Sequence, residues 1–130
     1  MKRNMELIRK ILLRLESLQM RPNQIILVDG STDGMSEPGE SIQEINYQLK
    51  LLQEAGMFRH AGTNGLDDRI KFNGLSWEGH DFLDSIRSES VWEKTKDATD
   101  GIGSWTFEIV KELGKGFIKK QIEDRTGIKL

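Results

Sequence analysis

Apolar residues recur at helical spacing near the start of the chain, at Met5, Ile8, Leu12 and Leu15, with Ile11 and Leu18 widening the stripe. Asn4 suits the cap of this helix and Glu6 suits its first turn. Pro22 pushes Arg21 out of helical geometry, so the helix is expected to end near Met20. The run QIILV that follows is short, apolar and β-branched, which predicts a buried strand. DGSTDGMSEPGE then reads as a loop.

Ser41 and Glu44 form an S-x-x-E capping box. Behind it Ile42, Ile45, Leu49 and Leu52 share one face, and Gly56 is placed to stop the helix. Met57 to His60 and Arg69 to Leu75 predict two strands around a turn that contains Asn64-Gly65. Ser76 can cap a helix starting at Trp77, with Phe82, Leu83 and Ile86 facing inward. Gly79 on that helix suggests close packing. A further helical segment spans roughly residues 89–98 around Trp92. Ser104 is expected to cap a long final helix with Ile109, Leu113, Phe117 and Ile122 along one seam. Gly114 and Gly116 predict a bend or a close contact there. Trp77, Trp92 and Trp105 are expected to anchor the hairpin to the helices that follow.

This order of elements predicts an α+β, mostly helical fold. Residues 1–87 read as a winged helix-turn-helix-like core with one β-hairpin wing. Residues 88–130 read as a C-terminal helical extension packing on that core, within a single domain overall. At 130 residues the chain can hold one core without a disulfide or metal, and it contains no cysteine. No apolar run approaches the roughly 20 residues of a membrane span, so a cytoplasmic protein is expected.

The net charge of −2 disfavours a polyanion partner, but its distribution restores the question. Residues 1–24 carry Lys2, Arg3, Arg9, Lys10, Arg14 and Arg21 against Glu6 and Glu16, a net +4. Residues 25–57 carry Lys50 against Asp29, Asp33, Glu37, Glu40, Glu44 and Glu54, a net −5. Phosphate binding draws on clustered Lys and Arg, which the first helix could supply and helix 41–55 could not.

The segments MKRNMELIRKIL, INYQLKLLQEAG, LSWEGHDFLDSIRSESVWEKTK and SWTFEIVKEL resemble a family of small bacterial and phage proteins known as domain of unknown function 2513. The likeness spans nearly the whole chain, and the WEGHDFLD block is its most specific part. The resemblance implies a bacterial cytoplasmic protein, often in a prophage or mobile-element context, with a winged-helix-like core. It brings no catalytic or binding residues.

Candidate sites follow from exposed polar positions. Gln43, Asn46, Tyr47 and Lys50 lie opposite the apolar stripe of helix 41–55, where Gln and Asn can read adenine edges and Lys can reach guanine or phosphate. Arg59, His60, Arg69 and Lys71 are the cations of the wing, with Asp67 and Asp68 at its tip. Arg9, Lys10 and Arg14 would continue that surface. In place of a helix before helix 41–55 stands the Gly-rich loop, a departure from helix-turn-helix organisation. Asp29, Ser31, Asp33 and Glu40 fall near calcium-loop spacing around Gly34, but the flanking elements and Pro38 do not fit, and no metal site is expected. His80 and Asp84 share a helical face without any catalytic motif; His80 is read as a structural tie to the hairpin, and an enzyme is not expected.

Two functions stay open. One is a non-catalytic, transcription-regulator-like module that binds double-stranded DNA. The other is a protein–protein interaction module without nucleic-acid binding. No cofactor is implied. The final helix is expected to meet helix 1, or alternatively to pair two copies as a homodimer.

Overall fold

The computed structural model describes residues 1–102 and 106–130. These form two compact units, Met1–His80 and Asp81–Leu130, which divide within a helix. The described chain is α+β and mostly helical, with five helices and one two-stranded sheet.

In the first unit, α1 (Met5–Glu16) starts at Asn4, whose side chain accepts from the Leu7 amide at 3.1 Å. Met5, Ile8, Leu12 and Leu15 are buried, joined by Leu7 and Ile11. The helix ends four residues before Met20. Ser17 bonds back to the Arg14 carbonyl through its hydroxyl at 2.7 Å, and the Leu18 amide makes a tight bond to Leu15. A short polar side chain thus competes with the helical ladder before Pro22 is reached.

The expected strand is present as β1 (Ile26–Val28), but it is not buried throughout: Val28 is fully buried while Leu27, on the opposite face, is 47% exposed. The strand pairs antiparallel with β2 (Ile70–Phe72), with Ile26 opposite Phe72 and Val28 opposite Ile70. The expected hairpin is smaller than a full strand pair. Its first arm contributes one antiparallel bridge, Phe58 to Leu75, supported by the Arg59 amide on the Gly74 carbonyl at 2.9 Å. The rings of Phe58 and Phe72 meet edge to face at 5.3 Å. The long segment between the arms is irregular because Asn64 folds back on the second helix, exchanging two amide hydrogen bonds with Gln53.

No helix occupies the loop between β1 and α2 (Ile42–Glu54). Three tight turns take its place, at Asp29–Thr32, Thr32–Met35 and Glu37–Glu40. Met35 is fully buried and nails the loop to the core. Ser41 caps α2 by accepting from the Glu44 amide at 3.0 Å, and Gly56 takes the left-handed φ of 75° that ends it. Ile45, Leu49 and Leu52 are buried as expected, but Ile42 is 48% exposed. It sits in the first turn, where its backbone and Cγ2 lie against Gly30: a Cβ on Gly30 would stand 2.6 Å from the Ile42 carbonyl oxygen.

Helix α3 (Trp77–Ile86) starts in the first unit and ends in the second. Phe82, Leu83 and Ile86 are buried, whereas Trp77 is 79% exposed and anchors nothing. Its place in the first turn points it away from the face that Phe82 and Leu83 define. In the second unit, Trp92 of α4 (Glu89–Asp100) is fully buried. Helix α5 (Phe107–Thr126) is capped by Thr106, two residues after the expected Ser104; Ser104 and Trp105 lie outside the described residues. Its buried line is Val110 and Gly114, not the expected seam, for Ile109 and Ile122 are 42% and 40% exposed. Gly114 decides this, because its bare backbone lies against the Ser85 carbonyl and turns the adjoining face inward. Phe107 meets Phe82 edge to face at 4.8 Å.

Candidate functional site

The first unit carries all ten candidate contact residues. Their surroundings separate them into residues used by the fold and residues left to solvent.

Helix α1 spends its cations internally. Arg9 is 4% exposed and engaged within the fold. Lys10 and Arg14 are one helical turn apart and both grip Glu37 of the loop, at 3.2 Å and 2.5 Å. Arg14 also donates to the Gly34 carbonyl at 3.3 Å. The Glu37 side chain is only 13% exposed, and the Arg14 hydrogen bond, then Lys10, holds its carboxyl below its ordinary range. Part of the expected basic face is therefore a clamp that ties the loop to α1, with one carboxylate set against two cations.

The polar face of α2 is divided in the same way. Asn46 is buried, and its side-chain oxygen accepts from the Gly30 amide at 2.6 Å. It is a structural residue and not part of an exposed reading face. Two residues further, Gln48 is fully buried; it accepts from the Asn4 amide at 3.0 Å and donates to the Lys2 carbonyl at 2.9 Å. Gln43 is exposed, while Tyr47 and Lys50 are half-buried. With Asn46, these three line a shallow groove whose other side holds Met1 and Asp68.

In the hairpin, Arg69 pairs with Asp67 at 2.7 Å, which lowers the Asp67 carboxyl below its usual range and raises Arg69. Lys71 is half-buried, and its amide is held by Asn64 at 3.2 Å. Arg59 and His60 are exposed, and the Arg59 guanidinium has no ion-pair partner among the described residues.

His80 is also exposed, and its imidazole has no partner among the described residues. The expected tie between helix and hairpin is made instead by its neighbours. The Ser76 hydroxyl donates to the Gly56 carbonyl at 2.5 Å and accepts from the Gly79 amide at 3.0 Å. Gly79 allows α3 to lie directly on the Met57 carbonyl. A second cavity, of about 180 Å³, opens beside them. Leu15, Phe72 and Leu75 form its floor, Leu18 and Met20 a wall, and Arg59, His80 and Glu16 its polar edge. Sequence reasoning missed this site, since it is assembled from the end of α1, the bridge region and α3.

In the loop 29–40, the Asp29 carboxylate accepts from the Ser31 amide at 2.8 Å and from the Ser31 hydroxyl at 2.6 Å. Ser31 lowers the Asp29 carboxyl below its ordinary range. Glu37 is spent on α1. Among the described residues no three His, Asp or Glu side chains gather where they could hold a metal ion. No described helix is long and apolar enough to cross a membrane.

Comparison with known proteins gives a family and no activity. An uncharacterized protein of Haemophilus influenzae is 39% identical over 124 residues, covering 94% of this chain and 99% of the relative. No solved structure matches. The family model described as "Hypothetical protein (DUF2513)" matches residues 2–104, which hold α1 to α4 and every residue of the two grooves except Met1, and the chain belongs to that family.

Proposed function

We propose that the chain is a non-catalytic, winged-helix-like recognition module that binds a protein partner and not the phosphate backbone of DNA. The winged-helix reading is supported by the order of elements: a strand after α1 pairs with the return arm of the hairpin, and the hairpin follows α2 directly. The observation that carries the functional choice is Glu37, which bridges Lys10 and Arg14, offsets one of their two charges and ties both side chains to the loop. Duplex binding gains most of its affinity from releasing counterions to clustered Lys and Arg. In this chain Arg69 is matched by Asp67, Asp68 closes the groove beside Lys50, and Glu40 and Glu44 stand at the start of α2. The wing is tied to α2 through Asn64, and its exposed tip carries Asp67 and Asp68 beside Arg69.

Anisotropy titration of a labelled duplex against the full chain, between about 50 and 200 mM salt, tests the choice. The expected result is no salt-sensitive binding. Affinity that falls by about a thousandfold or more over that range, and is lost on neutralising Lys50, Arg59 and Lys71, would replace this reading with the DNA-binding one.

A further inference from the structure

The groove between the end of α1, the bridge region and α3 combines an apolar floor with uncommitted polar side chains on its edge. Its floor is apolar, with Phe72 fully buried and Leu15 and Leu75 2% and 4% exposed. Two polar side chains on its edge, Arg59 and His80, are exposed and spend no hydrogen bond or ion pair on the described fold. By contrast Lys10, Arg14 and Arg69 are each bound to a carboxylate. Arg59 also keeps its position without side-chain partners, because its amide is fixed to the Gly74 carbonyl at 2.9 Å.

Size and charge select the occupant. About 180 Å³ is below the roughly 300–1,000 Å³ of sites that enclose free small molecules, and it suits one large apolar side chain. A guanidinium and an imidazole beside such a pocket complement a carboxylate, and Arg offers it a two-pronged hydrogen-bonding surface. Glu16 stands on the α1 side, so an acidic group is directed toward the hairpin and α3. We infer that this groove docks a peptide segment of a partner protein in which a large apolar residue stands next to Asp or Glu. The apolar side chain fills the pocket over Phe72 and Leu75, and the carboxylate meets Arg59 and His80. This rests on the protein-binding reading and assigns it a surface and a ligand chemistry.

The probe is a displayed library of random seven-residue peptides selected on the immobilised full chain, followed by anisotropy with the synthetic winners. Winners are expected to pair Leu, Ile, Met or Phe with a neighbouring acid. Arg59→Glu should weaken them by about tenfold or more, the scale of a lost charge pair at a binding hot spot. Arg59 is exposed, so this variant should fold, and circular dichroism checks that it does. Lys94→Glu on α4 should leave binding unchanged. Winners indifferent to Arg59→Glu and His80→Ala would overturn the groove while leaving the protein-binding reading in place. Basic winners, or none, would overturn the ligand chemistry. Salt-sensitive duplex binding in the separate titration would overturn the reading beneath it.

Discussion

The side-chain oxygen of Asn46 lies 2.6 Å from the amide nitrogen of Gly30. A residue whose position on α2 suggests a base contact is instead the acceptor that holds the loop after β1. Asn46→Ala leaves that buried amide without a partner and should cost about 1–3 kcal/mol. Asn46→Asp keeps the acceptor and should recover part of the loss. Urea unfolding followed by circular dichroism measures both, and equal losses would refute the account.

Glu37→Gln should have two effects of opposite kind. Stability should fall by about 1 kcal/mol, as expected for a partly exposed ion pair. Lys10 and Arg14 should become available to anions, so weak duplex binding and its salt slope should increase. Binding that does not respond to this substitution would show that Glu37 does not mask the α1 cations.

The same carboxylate gives a pH dependence whose sign is fixed. Glu37 is held below its ordinary range in the folded state, chiefly by Arg14 and then Lys10. Its contribution is complete above the ordinary carboxylate range and is lost as pH falls through the lowered value. Asp29, lowered by Ser31, acts in the same direction. Acid unfolding curves of wild type and Glu37→Gln should therefore converge as the pH falls. A gap that stays constant down to acid would exclude the assignment.

Gly79→Ala should destabilise the chain by about 1–3 kcal/mol or more, because the new methyl group meets the Met57 carbonyl and backbone must move. Gly116→Ala is the contrast: a Cβ there meets nothing within 4 Å, and the helix gains propensity worth up to about 1 kcal/mol. Thermal melts of the two variants should shift in opposite directions.

Trp92→Ala should cost about 3–5 kcal/mol, since the indole is fully buried. Trp77→Ala should change stability by no more than about 0.5 kcal/mol. Quenching by acrylamide should act on Trp77 far more than on Trp92.

Local signals were readable along the chain. Asn4, Ser41 and Ser76 cap the helices that their positions predict, and Gly56 ends α2 in a left-handed conformation. The stripe of α1 follows from periodicity and the strand at β1 from its short β-branched apolar run. What escaped is long-range. Nothing near Glu37 announces that it will meet Lys10, 27 positions earlier, and Asn46 looks the same whether it faces solvent or a buried amide. Strand character identified Ile70–Phe72 but not β1 as its main partner. On α5 the larger residues suggested Ile109 and Ile122 as the buried line, whereas the contact is made at Gly114, where a side chain is missing. The groove of Arg59 and His80 escaped for the same reason, since its walls come from three separate parts of the chain.

Gln48 has a consequence for the order in which the chain takes shape during synthesis. Its amide closes on Lys2 and Asn4, so these residues, made before α2, remain without their partner until α2 has emerged. Val28 waits almost as long, because Ile70 lies 42 positions downstream. The nascent first helix therefore has a large apolar face and no cover for most of the time that the first unit is being made. That interval of exposure, set by the spacing of two contacts, is when this chain is most open to aggregation.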